Sequence, residues 1–80
     1  MATYYWVGGS GTWDGSSTTH WATSSGGTGG AGVPTNNDVV YFDSGSGTAA
    51  NVSLMSTATC TNITINKSDI TLILNGNVVF

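Results

Sequence analysis

The chain has 80 residues, and its only basic side chain, Lys67, is set against four aspartates, for a formal net charge of -3. A protein that binds a nucleic-acid backbone or an anionic membrane surface needs several cationic contacts, so the composition excludes both partners. One histidine and one cysteine cannot fill a zinc shell or form an intramolecular disulfide. We therefore expect neither a metal nor another cofactor.

The residue types favour an all-β fold. The chain has no Glu, Gln or Arg, whereas Gly, Ser, Thr and Asn are abundant and the apolar residues are mostly β-branched or aromatic. Cys60 is expected to point inward as a small apolar residue. Because 80 residues lie near the lower limit for a self-sufficient core, we expect one structural unit stabilised by neighbouring copies of the chain.

The first residues carry neither a signal peptide nor a membrane span. Met1-Ala2-Thr3 lacks a basic region followed by an apolar one, and no apolar run of the chain approaches the length of a bilayer span. The sequence predicts a protein that is not exported through a cleaved leader.

The first segment, residues 1–43, is predicted to be a Trp/Gly-rich aromatic module. "TYYWVGG" predicts a strand over residues 3–7, and Asp14-Gly15 fits a tight turn that needs a positive φ. A stretch with no side chain larger than threonine separates Trp21 from Val33. It leads into "DVVYFD", for which we expect a central strand.

The second segment, residues 44–80, contains short strands at close spacing. Their sequences are "NVSLM", "CTNITI", "DITLIL" and "NVVF", and in the first three apolar residues alternate with serine or threonine. Hairpins and coils of a β-helix both fit this spacing, and asparagine in the turns favours the β-helix. The segment provides little more than one coil, and one coil cannot bury its own core. We therefore expect a partner to cover the apolar faces, which carry Val52, Leu54, Ile63, Ile65, Leu72 and Leu74.

The motifs that could indicate catalysis or cofactor binding lack the context they need. Gly27–Gly32 matches G-x-G-x-x-G, but no strand precedes it and no helix follows it, as a dinucleotide site requires. Asp38 and Asp43 could flank a sugar as in glycoside hydrolysis, but they bracket one strand and fit turn caps better. Asp14 and His20 are placed to hydrogen-bond within one loop, a structural role. We predict no enzymatic activity.

The aromatic residues at the front of the chain allow two interpretations. Exposed rings would form a glycan-binding face, whereas buried rings would collapse on each other and cap the sheet, since each ring buries about 150–250 Å². Strand alternation sends Tyr4 and Trp6 to one side and Tyr5 to the other, so both sides need cover. An aromatic cap shared with a neighbouring chain is favoured, with the loop 26–32 lying against that neighbour. The predicted interface residues, or glycan contacts in the alternative, are Tyr4, Trp6, Trp13, Trp21 and Phe80.

Six motifs follow one another over about the first 43 residues. They are Trp6–Gly9 (W-V-G-G), Gly11–Trp13 (G-T-W), His20-Trp21, Ser25–Gly27 (S-G-G), Val33–Thr35 (V-P-T) and Asp38–Asp43 (D-V-V-Y-F-D). In order and spacing they resemble a Trp/Gly-rich module at the start of many tailed-bacteriophage structural proteins and of some repetitive bacterial surface proteins. His20 departs from the pattern, in which asparagine is usual at this position.

The resemblance implies a virion structural protein such as a fibre, spike or head-decoration component. It implies an aromatic-capped all-β module that leads into β-solenoid-like strands, is oligomeric, and assembles in the host cytoplasm with its own copies or other virion proteins. The competing hypothesis is a carbohydrate-binding or adhesive module that contacts a host-surface glycan through the same aromatic residues.

Overall fold

The computed structural model describes residues 2–14, 16–55 and 59–74, and these residues form strands joined by turns. The strands are β1 (Thr3–Trp6), β2 (Gly11–Trp13), β3 (Trp21–Ala22), β4 (Val39–Phe42), β5 (Asn51–Leu54), β6 (Asn62–Ile65) and β7 (Thr71–Leu74). In the described ranges the only helical element is a single 3-10 turn, Ser44–Ser46. The prediction of an all-β domain is confirmed. No helix in these ranges is long and apolar enough to cross a membrane.

The strands form two sheets whose pairing is mostly parallel. Sheet A has the order β3-β1-β4-β6 and sheet B the order β2-β5-β7; every pair is parallel except β1 with the two-residue β3. Leaving β3 aside, successive strands alternate between the sheets, so β1/β2, β4/β5 and β6/β7 make three layers. Among the described strands, β5 does not pair with β6, and β6 does not pair with β7, as a hairpin.

The register places chemically similar side chains above one another. Tyr4 pairs with Val40, which pairs in turn with Ile63; in sheet B, Trp13 and Leu54 occupy matching positions. The alternate positions face outward, where Tyr5 and Tyr41 stack with ring centroids 5.3 Å apart. The predicted alternation of β1 therefore holds, and β4 is the central strand that "DVVYFD" suggested.

Eight side chains form a core that is buried within one chain. A cluster of eight side chains is at most 1 % exposed without any contribution from a second chain. The chain thus has more than the single coil that was expected, whereas Ile63, Ile65 and Leu72 of the predicted apolar faces are half-buried or exposed. The reason is the parallel pairing of β1 with β4 and of β2 with β5, which adds the first residues of the chain to the stack. The buried residues are Trp6, Trp13, Trp21, Val40, Phe42, Val52, Leu54 and Cys60.

Burial decreases from the second layer to the third. Val40 in β4 is fully buried, whereas its register partner Ile63 in β6 is half-buried. Phe42 is likewise fully buried, whereas its partner Ile65 is 46 % exposed. Within the described residues, the exposed large hydrophobic side chains all follow residue 54; they are Met55, Ile65 and Ile73.

The 3-10 turn after β4 brings two glycine backbones together. The Asp43 carboxylate accepts a hydrogen bond from Gly45 N–H at 3.0 Å, and the hydroxyl of the buried Ser46 accepts one from Asp43 N–H at 3.0 Å. Asp43 therefore caps a turn, as predicted. A Cβ on Gly45 would collide with the backbone of Gly26, so the turn and the loop 23–32 can touch only because Gly45 has no side chain. Gly26 itself has a positive φ of 68°, which favours glycine.

We predict that Gly45→Ala lowers the free energy of unfolding by about 1–3 kcal/mol, because the added methyl group overpacks a backbone contact. Ser44→Ala is the matched control: Ser44 is exposed in the same turn, and its loss is expected to stay within about 0.5 kcal/mol. Urea unfolding followed by tryptophan emission measures both. Equal stabilities of the two variants would contradict the close approach of the turn and the loop.

Candidate functional site: the aromatic cluster

Four strands each contribute one ring to an aromatic cluster, which we define as Trp6, Trp13, Trp21 and Phe42. Trp6, Trp13 and Phe42 are the last residues of β1, β2 and β4, and Trp21 is the first residue of the antiparallel β3. Trp6 pairs with Trp21 in the register of sheet A, and the ring centroid of Phe42 lies 5.8 Å from that of Trp6 and 6.2 Å from that of Trp13, so the four rings converge at one place. The sequence predicted the burial of the tryptophans but did not include Phe42 among the site residues.

Trp21 lies at the centre of the cluster and meets the other two indoles edge to face. Its ring centroid lies 5.1 Å from that of Trp6 and 5.0 Å from that of Trp13, with interplanar angles of 86° and 72°. This is the arrangement that the quadrupoles of aromatic rings favour, at about 0.5–1.5 kcal/mol per pair beyond the burial of area. The cluster is therefore a packed unit with a defined geometry.

The buried indole N–H groups are satisfied unequally. Trp6 donates from Nε1 to the carbonyl oxygen of Gly9 at 2.7 Å, which ties the end of β1 to the following glycine turn. In the described part of the chain, Trp13 Nε1 is buried and has no hydrogen-bond acceptor. Such an N–H costs about 1–3 kcal/mol, so Trp13 is retained at this position by its packing.

His20 covers the outer face of Trp6. Its imidazole stacks on the indole with ring centroids 4.4 Å apart and an interplanar angle of 2°. Its Nδ1 lies 2.6 Å from the carbonyl oxygen of Val7, and since a carbonyl only accepts, Nδ1 carries the proton. The backbone of His20 also accepts from Val7 N–H at 2.7 Å. The face of Trp6 that was expected to meet a neighbouring chain is thus covered by this chain itself.

The glycines of the first two motifs make room for that imidazole. A Cβ on Gly8 would lie 2.9 Å from Nδ1 of His20, and one on Gly11 would collide with Nε2. The W-V-G-G and G-T-W motifs therefore enclose the ring. The hydrogen bond expected between Asp14 and His20 does not form, because the Asp14 carboxylate accepts from the backbone N–H groups of Ser16 and Ser17 instead.

The glycine-rich loop packs on its own chain. Gly30 N–H donates to the carbonyl oxygen of Thr18, and Ala31 N–H donates to that of Trp21. A Cβ on Gly29 would collide with the carbonyl of Thr19, and one on Gly32 would lie 2.8 Å from the Tyr4 hydroxyl. The loop 26–32, which was expected to lie against a neighbouring chain, packs on its own chain, because the absence of side chains on its glycines lets it lie flat over β3.

The predicted interface residues differ in the surface that they present. Trp6, Trp13 and Trp21 are 0 %, 0 % and 1 % exposed, so these indoles offer no free face to a sugar or a partner. Tyr4 is half-buried and meets Trp21 edge to face with centroids 6.3 Å apart. Phe80 lies outside the described residues.

The contacts of Asp38 and Cys60 indicate that both residues stabilise the fold. The Asp38 carboxylate accepts hydrogen bonds from the N–H groups of Thr35 and Ala2, both at 2.8 Å, and from the Thr35 hydroxyl at 3.0 Å. Cys60 is fully buried as predicted, and burial raises the pKa of its thiol. Across the described ranges, no three His, Cys, Asp or Glu side chains group together in a way that could hold a metal ion.

We predict that His20→Ala lowers the free energy of unfolding by about 1–3 kcal/mol, because it removes a stacked pair and a buried hydrogen bond. His20→Asn is the informative comparison, since asparagine can donate to the Val7 carbonyl but cannot stack on Trp6. The loss of stability should be smaller for His20→Asn than for His20→Ala, and the tryptophan emission of His20→Asn should be red-shifted relative to the wild type. Wild-type stability of His20→Ala would contradict the covering role of His20.

We also predict that acid destabilises the protein through Asp38. Hydrogen bonds from the backbone N–H of Thr35, the backbone N–H of Ala2 and the Thr35 hydroxyl hold the pKa of Asp38 below its ordinary value. Burial acts in the opposite direction but is outweighed. A carboxyl group whose pKa is lower in the folded state than in the unfolded state stabilises the fold at pH values above its unfolded-state pKa. This stability is lost as the pH falls through the folded-state pKa.

Urea midpoints measured at decreasing pH below about 5 should therefore fall for the wild type. The fall should be shallower for Asp38→Asn, whose stability at neutral pH is lower from the start. Asp14 and Asp69, whose pKa values are also lowered by hydrogen bonds, supply the remaining slope. Identical pH profiles for the wild type and the variant would contradict this assignment.

Comparison of the chain with protein-family models, with curated proteins and with solved structures found no match.

Proposed function

We propose that this chain is a structural protein of a tailed-bacteriophage particle, a fibre, spike or head-decoration component that acts by packing and not by chemistry. The observation that carries the proposal is how the structure uses the motifs of the resemblance. Their tryptophans are at most 1 % exposed, and their glycines provide close backbone contacts. Because the residues of these motifs are used in packing, they support a structural role for the chain.

The layered arrangement supports the finer description of the fold. Strands alternate between sheet A and sheet B, and each layer lies in parallel register on the previous one. We propose that β1/β2, β4/β5 and β6/β7 are the first turns of a β-solenoid, closed at the β1 end by the aromatic cluster and β3. Such a module suits the start of an elongated particle component, because further layers can be added only at the other end.

The proposed partners are other copies of this chain and other virion proteins, met in the host cytoplasm where particles assemble. With Lys67 as the only basic residue of the sequence, which lies beside Asp69, the chain has little means of binding phosphate groups. Nucleic acid and membrane surfaces are therefore not among the proposed partners.

One observation favours the competing hypothesis of a glycan-binding module. Tyr5 and Tyr41 stack at 23° on the outer face of sheet A and are both half-buried. This pair, and not the buried tryptophans, is the aromatic surface that a sugar ring could contact. Two tyrosines without neighbouring charged side chains on β1 or β4 make a weak platform, so we place this hypothesis second.

The proposal predicts that the chain is part of the mature particle. Mass spectrometry of gradient-purified particles of the phage that encodes it should detect its peptides at the abundance of a structural protein, and immunogold labelling should locate them. Detection in the lysate but not in the particles would contradict the proposal. An enzyme or a host-takeover factor would give that second result.

The control for the competing hypothesis is a titration with sugars. Emission from the buried indoles should be blue-shifted and should not change on addition of host-surface polysaccharide, in the wild type and in Tyr41→Ala alike. Saturable glycan binding that Tyr41→Ala abolishes would favour the adhesive module instead.

A further inference from the structure

We propose that Tyr5 and Tyr41 form an oxidative modification site, at which a one-electron oxidant joins their rings by a carbon–carbon bond. The product is a dityrosine cross-link within one chain, and it ties β1 covalently to β4. The oxidant belongs to the class of one-electron oxidants that hydrogen peroxide generates. This modification goes beyond the proposed structural role, which does not require it.

The register of sheet A holds the two rings together. Tyr5 pairs with Tyr41 in the parallel ladder of β1 and β4, and their ring centroids lie 5.3 Å apart at an interplanar angle of 23°. Side chains at paired positions of neighbouring strands leave the sheet on the same face. The remaining tyrosine of the three, Tyr4, lies on the opposite face of β1, edge to face with Trp21. Tyr5 and Tyr41 are therefore the two tyrosines that can couple.

The coupling balances as the loss of two hydrogen atoms from the protein. Each phenol gives one electron to the oxidant and its hydroxyl proton to water, which leaves two phenoxyl radicals with unpaired electron density on the ring carbons next to the C–O carbon. One such carbon of each ring forms the new bond. The hydrogen on each of these carbons then leaves as a proton, and each oxygen regains one. Hydrogen peroxide that accepts the two electrons and two protons becomes two molecules of water.

The position of the pair favours this reaction. Both side chains are half-buried on the outer face of sheet A, so an oxidant and water reach them. The indoles, which are also one-electron donors, are at most 1 % exposed. Because the two phenols are held as neighbours, their coupling is a step within one molecule and needs no encounter between chains. The stacked rings must tilt for the bond to form, and the core need not move because neither ring belongs to it.

The cross-link would stabilise the part of the chain that carries the aromatic cluster. It closes a loop from residue 5 to residue 41 that contains all three tryptophans and the glycine-rich loop. A covalent link across a long loop restricts the unfolded chain more than the folded one. With one cysteine the chain cannot form an intramolecular disulfide, and the tyrosine pair supplies a covalent link of comparable reach.

The test is photo-oxidation of the full chain with tris(bipyridine)ruthenium(II) and persulfate in visible light. The wild type should gain dityrosine emission under excitation at wavelengths that tryptophan does not absorb. The intact mass should be that of one chain less two hydrogen atoms. Endoproteinase Asp-N cleaves before each aspartate, and after digestion the fragment 1–13 should be joined to the fragment 38–42.

Conservative variants identify the two rings. Tyr5→Phe and Tyr41→Phe each keep the packing of a ring but remove one phenol, so each should lose the dityrosine emission and the joined fragments. Tyr4→Phe is the matched control, because Tyr4 lies in the same Asp-N fragment as Tyr5, and it should cross-link with the wild-type yield. Equal yields from Tyr4→Phe and Tyr5→Phe would overturn the assignment.

Two further measurements need no substitution. The yield of the wild type should not depend on protein concentration, because both rings belong to one chain. The cross-linked chain should unfold at a higher urea midpoint than the untreated chain. Products with the mass of two chains in place of one, or no dityrosine at all, would overturn the site, and an unchanged midpoint would overturn its stabilising effect.

Cross-linking is separable from the proposed function. A chain that cross-links between Tyr5 and Tyr41, but whose peptides are missing from purified particles, would leave the modification site standing and reject the virion role. A chain found in particles that gives no dityrosine would reject the modification site alone.

Discussion

The burial of three indole rings in so short a chain is the constraint on which the rest of the structure depends. The three indoles come from three different strands, and Trp21 meets both Trp6 and Trp13 edge to face, so the ends of β1 and β2 and the beginning of β3 must lie together. Parallel pairing with β4 and β5 then carries Phe42 and Leu54 to the same level. Without a disulfide, as the chain has one cysteine, the rings supply the apolar area that holds the first layers together.

Glycine makes that burial possible. Large rings fit in a small core only if the backbone around them can pack closely. In this chain, several glycines allow that close packing. Gly11 leaves space for the imidazole that covers Trp6, and Gly45 meets Gly26 backbone to backbone. The burial of the tryptophans thus depends on the glycines around them. This dependence is a physical reason for the joint occurrence of tryptophan and glycine in the motifs that carry the resemblance.

The two ends of the molecule consequently have different properties. At the first layer, β3 and the loop 23–32 close sheet A, and the core residues are fully buried. At the third layer, apolar side chains of β6 and β7 are half-buried or exposed. This difference between the ends supports the proposal of a β-solenoid that is closed at its β1 end.

The sequence by itself determined which residues face inward and where the chain turns. Alternation placed Tyr4 and Trp6 on one side of β1 and Tyr5 on the other, composition indicated strands, and the position of Asp43 after a strand predicted a turn cap. These properties are local, since they depend on a residue and its immediate neighbours. The tertiary structure alone decided which strands pair. Alternation identifies a buried face but not the strand beside it, so parallel pairing of β4 with β1 and β6 was not distinguishable from hairpins.

The same limit explains the corrections at the site. A hydrogen bond between His20 and Asp14 was expected because the two residues are close in sequence. The His20 ring instead stacks on Trp6 and contacts the carbonyl of Val7, which lies 13 residues before it. The glycine-rich loop was expected to lie against a neighbouring chain, and its contacts within the chain were not foreseen. It lies on the backbone of Thr18 to Trp21, a surface that exists only after β1 and β3 have paired. Contacts between residues distant in sequence arise from the closing of the fold, and that is the part that only the tertiary structure decided.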